Sequence, residues 1–300
     1  MRALLQRRAI LVTGKGGVGK TTLAAAIAHL GARSGKRVLV AEVSYEPDAT
    51  SPLARALGLE RLSEEPKAIA PSLKAVLLTP TSGHVRFLRA TLPVKRLADA
   101  ALRAAAIRRF LLAAPTLAEM GILYRILDLV NEKRADGSFE NELVVVDLPA
   151  TGHAMGLAQI PSAILEVIRS GPIATATREG IALLKDPSRT TSVVVTLPET
   201  LPVSEAMELV QSIQHSAIPF SGVVLNRMPE DPFVAAEREA VDAWVQGKAL
   251  LGARSLPRID RARHAEARLR QLRVPVMSVG ELATSGHVAP SLADALGSFS

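Results

Sequence analysis

Gly14-Lys15-Gly16-Gly17-Val18-Gly19-Lys20-Thr21-Thr22 lies between a short apolar run, Ala9–Val12, and a segment of helical pattern, Lys20–Ser34. Its first eight residues fit G-x-x-x-x-G-K-[ST] in the setting that pattern requires, a strand before it and a helix after it. The residue types follow from the physics of holding phosphate. Glycines let backbone N–H groups curl around phosphate oxygens with no Cβ in the way. The helix that follows adds about half a positive charge at its N-terminus. Lys20 is then set to reach β- and γ-phosphates, Thr21 to offer its hydroxyl to Mg2+, and Thr22 to meet an α-phosphate. A chance match in a chain of this length has odds on the order of 1% at average composition.

Outward from this loop, strand-like and helical stretches alternate. Leu23, Ile27 and Leu30 recur on one helical face, and Gly35 follows as a stop signal. Arg37–Val43, Ala75–Leu78, Leu143–Leu148, Ser192–Leu197 and Gly222–Asn226 are apolar runs, with a helix at Val203–Gln214 between the last two. Continuous apolar strands separated by helices make a parallel sheet covered on both faces. The expected fold is therefore α/β: a doubly wound, mostly parallel sheet of P-loop NTPase type with a helical insertion. That insertion, about 83–135, is an Ala-, Leu- and Arg-rich stretch that breaks the alternation. No Gly/Ser/Pro linker divides residues 1–300, so a single domain is expected. The tail after Glu281 is small, polar and weakly patterned, and is expected to be partly disordered.

Bulk properties narrow the function classes. A domain of this size buries roughly three quarters of its unfolded surface and needs no staples. The chain has no cysteine, which excludes disulfides, cysteine-ligated zinc and thiol catalysis. No apolar run reaches ~18 residues, so no transmembrane helix is expected. Met1–Val12 is basic then apolar, but its apolar part is too short for a signal peptide, and a cytoplasmic location is expected. The net charge of +7 suits an acidic partner, an anionic surface or simple solubility. Aromatic residues make up 3% of the chain, few for a protein that stacks on bases, and nucleic acid is not expected as a partner.

A second segment, Asp147-Leu148-Pro149-Ala150-Thr151-Gly152-His153, follows the strand-like run ending at Leu148. An acidic residue at a strand end opposite a phosphate loop can hold Mg2+ directly or through water. The Pro, Gly and Thr after it can bring backbone N–H groups to a γ-phosphate and move when that phosphate leaves. A lone histidine such as His153 is more often structural than catalytic.

Lys15 sharpens the reading, since an ordinary phosphate loop needs no lysine there. The form GKGGVGKTT resembles the deviant Walker A motif of the MinD/ParA/ArsA group of ATPases. Asp147–His153 is similar to the D-T-A-P-T-G-H motif of ArsA-type ATPases, which include the ATPases that target tail-anchored proteins. Leu157, Ile160-Pro161 and Thr196-Leu197-Pro198-Glu199-Thr200-Leu201-Pro202-Val203 fit the same family. The resemblance covers most of the chain and implies a doubly wound ATPase core, ATP/ADP and Mg2+ as ligands, and a nucleotide-gated dimer. It implies that Lys15 crosses the dimer interface to the partner's phosphates, acting by charge like an arginine finger, a device worth roughly 10³–10⁵ in rate. It implies further that Asn226, at a strand end, recognises adenine, which Asn can pair through one donor and one acceptor. The helical insertion corresponds to the family's client groove, with Phe87, Leu88 and Leu92 among its apolar residues and Arg86 and Arg89 among its basic ones. Arg254–Arg273 reads mainly as a solvated basic surface.

Two departures from the family pattern matter. The first switch normally reads S-T-D-P-A-H, with an Asp that positions water. Here it reads Ala41-Glu42-Val43-Ser44-Tyr45-Glu46-Pro47-Asp48, so Ser44 takes that position by register, with Glu46 or Asp48 as stand-ins. Serine cannot take a proton as a carboxylate does. The absence of cysteine also removes the thiolates that hold arsenite or intersubunit zinc elsewhere in the family. The expected activity is hydrolysis of ATP to ADP and phosphate, with catalytic Lys15, Lys20 and Asp147, nucleotide contacts from Gly14–Thr22 and Asn226, and Mg2+ at Thr21 and Asp147. The expected partners are a second ATPase subunit, as homodimer or heterodimer, and a protein client. A nucleotide-binding scaffold with little turnover and a MinD/ParA-like positioning ATPase are the alternatives, and a small-molecule kinase ranks last.

Overall fold

The computed structural model describes residues 2–46, 50–91, 115–150, 165–166, 169–246, 255–281 and 288–297. Asp48, Thr151, Gly152, His153, Leu157, Ile160, Pro161, Arg254 and the middle of the insertion, 92–114, lie outside the described residues.

Eight strands form one sheet: β1 (Ala9–Gly14), β2 (Val38–Val43), β3 (Lys67–Ala70), β4 (Leu73–Leu78), β5 (Leu143–Asp147), β6 (Thr190–Thr196), β7 (Phe220–Met228) and β8 (Val276–Gly280). Their order is β3-β4-β2-β5-β1-β6-β7-β8, and every pair is parallel except β3 with β4. Every residue of β1, β2, β5 and β6 is buried. Apolar side chains are therefore needed on both sides of the pleat. Ala9 and Leu11 join one core cluster and Ile10 and Val12 the other, as a period of two demands. The expected α/β, mostly parallel, doubly wound architecture is present.

The described helices cover the two faces. They are α1 (Arg2–Leu5), α2 (Lys20–Arg33), α3 (Pro52–Ala56), α4 (Pro80–Thr91), α5 (Pro115–Asn131), α6 (Pro172–Lys185), α7 (Thr200–His215), α8 (Ala235–Val245), α9 (Leu256–Arg270) and α10 (Val288–Gly297). Helix α2 packs Leu23 and Ile27 against Ile10, Val12 and Val40. The opposite core brings Ile122 and Ile126 of α5, Leu183 of α6, Val203 and Val210 of α7, and Ala265 and Leu269 of α9 over Leu11, Leu39 and Val146. Among the described residues no helix is long and apolar enough to cross a membrane.

Three expectations are extended by the structure. Part of the tail after Glu281 is the helix α10, whose Ala289, Leu292, Ala293 and Leu296 are buried beside α2. Burial of each leucine is worth roughly 1.5–3 kcal/mol, enough to order a short helix whose many small residues disguise its period. The basic stretch ending at Arg273 keeps the solvated face expected of it and has a buried one as well. It carries α9, with Leu256, Ile259, Ala262, Ala265 and Leu269 buried at helical spacing. Its arginines stay largely in solvent, as expected: Arg258 and Arg263 are 54% and 52% exposed while paired with Glu281 at 2.8 Å and Asp231 at 2.6 Å. Finally, β3 and β8 extend the sheet beyond the strands expected. The β3 side chains are mostly exposed and carry no apolar alternation.

The two described ends of the insertion, α4 and α5, approach at backbone distance. A Cβ on Gly83 would lie 1.9 Å from the carbonyl oxygen of Gly121. His84 Nε2 donates to Leu117 O at 2.7 Å, and the rings of Phe87 and Tyr124 meet edge to face at 5.2 Å between centroids. Helix propensity alone makes Gly83→Ala stabilising by about 1 kcal/mol. The close approach reverses the sign, and chemical denaturation of Gly83→Ala is expected to show a loss of about 1–3 kcal/mol. A stabilised variant would mean that α4 and α5 stand further apart.

Candidate functional site

The carboxyl ends of β1 and β5 lie side by side, with Val12 opposite Asp147, and Asp147 faces Glu42 on β2. The connection leaving β1 runs to one side of the sheet and the one leaving β5 crosses to the other. This is the switch point where α/β sheets open a crevice.

Gly14 ends β1 with φ +144°, and a Cβ there would lie 2.3 Å from Val195 O, so only glycine lets the chain leave the sheet here. Lys15, Gly16 and Gly17 are exposed, and a Cβ on Gly16 or Gly17 would meet nothing within 4 Å, so the loop is open toward the crevice. Val18 turns back into the core. Gly19 caps α2 with φ 95° and no side-chain cap, which leaves the first amides of the helix for a ligand. Thr22 sits partly buried in that first turn.

The polar groups converge from distant parts of the chain. Thr21 Oγ1 donates to Asp147 Oδ2 at 2.6 Å. Lys20 Nζ donates to the Lys15 carbonyl at 2.8 Å, folding the ammonium back over the loop. Asn226 Nδ2 donates to Val18 O at 2.9 Å, so this residue buttresses the loop from β7. Arg227 beside it has φ 56°, an uncommon left-handed geometry for a non-glycine residue. Lys15 Nζ is paired with Glu205 Oε1 of α7 at 2.7 Å, so its charge is directed away from its own loop. Asp147 Oδ1 and Thr13 Oγ1 are buried with no hydrogen-bond partner.

That orphaned Asp147 oxygen tests the fit of a divalent cation. Beside a Thr hydroxyl it gives one hard oxygen pair. Among the described residues no cluster of three or more His, Cys, Asp or Glu is set to hold a metal alone. The rest of an octahedral shell would come from water and a bound phosphate, the usual arrangement for Mg2+. The residues fit such an ion.

Lys15, Lys20, Thr21, Asp147 and the glycines thus gather at one crevice, with Asn226 beneath it. Ser44 does not offer a carboxylate. Its Oγ donates to Glu46 O at 2.9 Å and accepts from Glu46 N at 3.2 Å, closing a local turn. Glu205, Glu42 and Thr13 carried no expectation. Glu42 is buried and accepts from Ser51 Oγ and Leu53 N, each at 2.7 Å, which anchors α3 under the site. A charged residue inside an apolar strand was the signal for it. No local signal pairs Glu205 with Lys15 across 190 residues.

Fold and loop define the class, the P-loop NTPases. A family model described as anion-transporting ATPase matches residues 7–171 and 173–248, so the chain belongs to the anion-transporting, ArsA-type ATPase family. It is similar to ATPase BagA of Mycobacterium tuberculosis, 28% identical over 261 residues that cover 83% of this chain and 75% of that protein. It is also similar to the arsenical pump-driving ATPases of Escherichia coli and Acidiphilium multivorum, 29% and 28% identical, covering 72% of this chain in each case. The chain spans 34% of the length of either pump ATPase. The resemblance read from Gly14–Thr22, Asp147–His153 and Thr196–Val203 is borne out at the level of family. Membership places the chain among nucleotide-binding ATPases.

Burial raises the Asp147 carboxyl from 3.8 to about 7, against the opposing pull of the Thr21 hydroxyl and the Lys20 ammonium and with help from Glu42. Burial lowers Lys20 in turn, and the Asp147 charge opposes that. Between those two Asp147 values the folded ligand-free protein holds a proton that the unfolded chain releases. Its contribution to stability is present at low pH and lost as pH rises through about 7. In nucleotide-free buffer with chelator, the melting temperature of wild type relative to Asp147→Asn is expected to fall from about pH 5 to about pH 8. A difference that stays level across this window would show that Asp147 is ordinarily ionised.

Proposed function

We propose that this chain is an ATP-driven switch of the cytoplasm whose nucleotide state sets its grip on a partner protein. The observation that carries the reading is the Thr21–Asp147 hydrogen bond beneath an open glycine loop, with an orphaned carboxylate oxygen beside it. ATP or ADP would lie along Gly14–Thr22, its phosphates against the loop amides, the α2 N-terminus and Lys20. Mg2+ would be held by the Thr21 hydroxyl and Asp147 and, when bound, would draw charge from the β- and γ-phosphate oxygens. Asn226 keeps a carbonyl oxygen and a second N–H for adenine while its first N–H braces Val18.

Lys15 acts across subunits. In the single chain Glu205 holds its ammonium. Closure of a dimer, with a copy or with a related ATPase subunit, exchanges that carboxylate for the partner's phosphates. The exposed pair is weak, as ion pairs in water are, so the exchange is cheap. Tyr45 Oη, on the segment after β2, donates to Glu119 of α5 at 3.4 Å. Burial, then Glu119, pushes that phenol above its usual range, so it stays a donor. This contact joins the candidate switch segment to the insertion, where the partner surface is proposed. A thiolate-held metalloid cargo falls outside the chemistry of a chain with no cysteine.

A second reading, a nucleotide-binding scaffold with little turnover, is favoured by Ser44, whose hydroxyl is spent in its own turn. Steady-state hydrolysis beside oligomeric state in ATP and ADP separates the two. Wild type is expected to turn over and to dimerise in ATP. Lys15→Ala is expected to lose the dimer and roughly 10³-fold or more of the rate. Glu205→Ala is expected to keep turnover and dimerise at lower ATP concentration. Nucleotide binding with neither turnover nor closure would select the scaffold.

A further inference from the structure

A cavity of about 290 Å³ opens at the edge of the sheet where the parallel strands begin, opposite the edge that carries the glycine loop. Ser221 and Gly222 near the start of β7 and Val276 at the start of β8 line it, with Leu4 of α1 and Ile27 of α2. Its floor is apolar and buried: Ile27, Val193 and Val223 are at most 4% exposed. Ala3 and Pro275, both exposed, frame its mouth. Among the described residues Ser221 brings the one polar side chain to the lining, and its Oγ already shares a hydrogen bond with Thr191 Oγ1 at 2.7 Å. Water there finds few partners, and apolar hollows of this kind stay dry and take up apolar molecules. The volume is at the small end of ligand pockets, which run upward from about 300 Å³, and suits one hydrocarbon chain.

The lining carries no charge, and the charges that adjoin its mouth have one sign. No Asp or Glu lies within three residues of any lining residue along the chain, whereas Arg7 and Arg273 do. The Arg7 amide donates to Leu4 O at 3.2 Å. Arg273 stands two residues, at most about 7 Å of backbone, from Pro275. Arg273 is exposed and Arg7 half-buried, and neither guanidinium has a hydrogen bond or ion pair among the described residues. Asp294, the one acidic residue of α10, is held by Arg33 at 2.5 Å. An apolar hollow flanked at its mouth by two uncommitted cations matches a molecule with an apolar body and an anionic end.

We propose that this cavity takes a single-chain anionic amphiphile, a free fatty carboxylate, whose hydrocarbon chain fills the hollow and whose head group meets Arg7 and Arg273 at the mouth. Burial of the chain supplies the affinity. The two arginines, close to water and each worth little there, supply the preference for an anion. The site lies at the far edge from the nucleotide crevice and does not depend on the function proposed for it.

The test titrates decanoate and, separately, decanol into the full chain without nucleotide, below the concentration at which decanoate forms micelles, and reads the heat of binding. Saturable binding of decanoate at a single site, tighter than that of decanol, is expected. Arg7→Ala and Arg273→Gly are each expected to weaken decanoate about threefold and to leave decanol unchanged. Arg273 has a left-handed φ of 55°, which glycine adopts freely, so that variant keeps the fold. Lys36→Ala removes a cation at the same edge but beside β2, four strand spacings or about 19 Å from β7, and is expected to change neither affinity. Ala3→Trp sets a ring in the exposed mouth and is expected to abolish binding of both molecules, with melting no lower than that of wild type. Absence of saturable decanoate binding, decanol bound as tightly as decanoate, or an equal loss in Lys36→Ala overturns the site. Uptake onto phosphatidylglycerol vesicles with no binding of free decanoate overturns it too, and makes this edge a membrane contact instead.

Discussion

The pairing of β1 between β5 and β6 is the constraint on which the rest of the molecule depends. It buries every residue of three parallel strands on two faces at once, a demand met mostly by apolar side chains and, toward the strand ends, by polar ones such as Thr190, Thr196 and Asp147. The same register brings the chain out of the sheet at Gly14 and Asp147 together. The crevice is thus a by-product of hydrophobic pairing: glycine amides arrive on one rim and a carboxylate on the other. Desolvation, which stabilises the strands, then acts on Asp147 and raises its affinity for a proton until a cation or a donor compensates it.

The electrostatics around the crevice share one pattern. The polar groups proposed to serve a nucleotide are satisfied locally by something a ligand can replace. Lys15 rests on Glu205, Lys20 on a carbonyl of its own loop, and Thr21 on Asp147. Each of these contacts is short, and two of the three are exposed, so exchanging them for phosphate or a metal requires little rearrangement of the backbone. By contrast, Glu42 beneath is fixed by a hydroxyl and a backbone amide that no ligand would replace, and it carries α3 rather than chemistry.

The fold was legible wherever burial forced a pattern. Val38–Ala41 and Leu143–Val146 are unbroken apolar runs because both of their faces are covered, and they read as strands at sight. Lys67–Ala70 is an edge strand with one face in water and no such pattern. The spacing of Ala289, Leu292, Ala293 and Leu296 was available in the sequence, but the small residues between them hid its helical period. At the site, the glycine loop and Asp147 could be read because backbone geometry dictates their residue types. The Lys15–Glu205 pair and the brace from Asn226 to Val18 could not. Each joins residues far apart in the chain, which leaves no local trace.

The brace from Asn226 has a consequence for the order in which the protein acquires its properties. Its amide lies against the loop so closely that a Cβ at Gly19 would stand 2.3 Å from it, and it joins positions 208 residues apart. On the ribosome the glycine loop emerges 208 residues ahead of the seventh-strand side chain that braces it. A nascent chain therefore displays the motif long before it owns the site. A nucleotide bound in the proposed way would stabilise only chains that have already assembled both halves of the sheet.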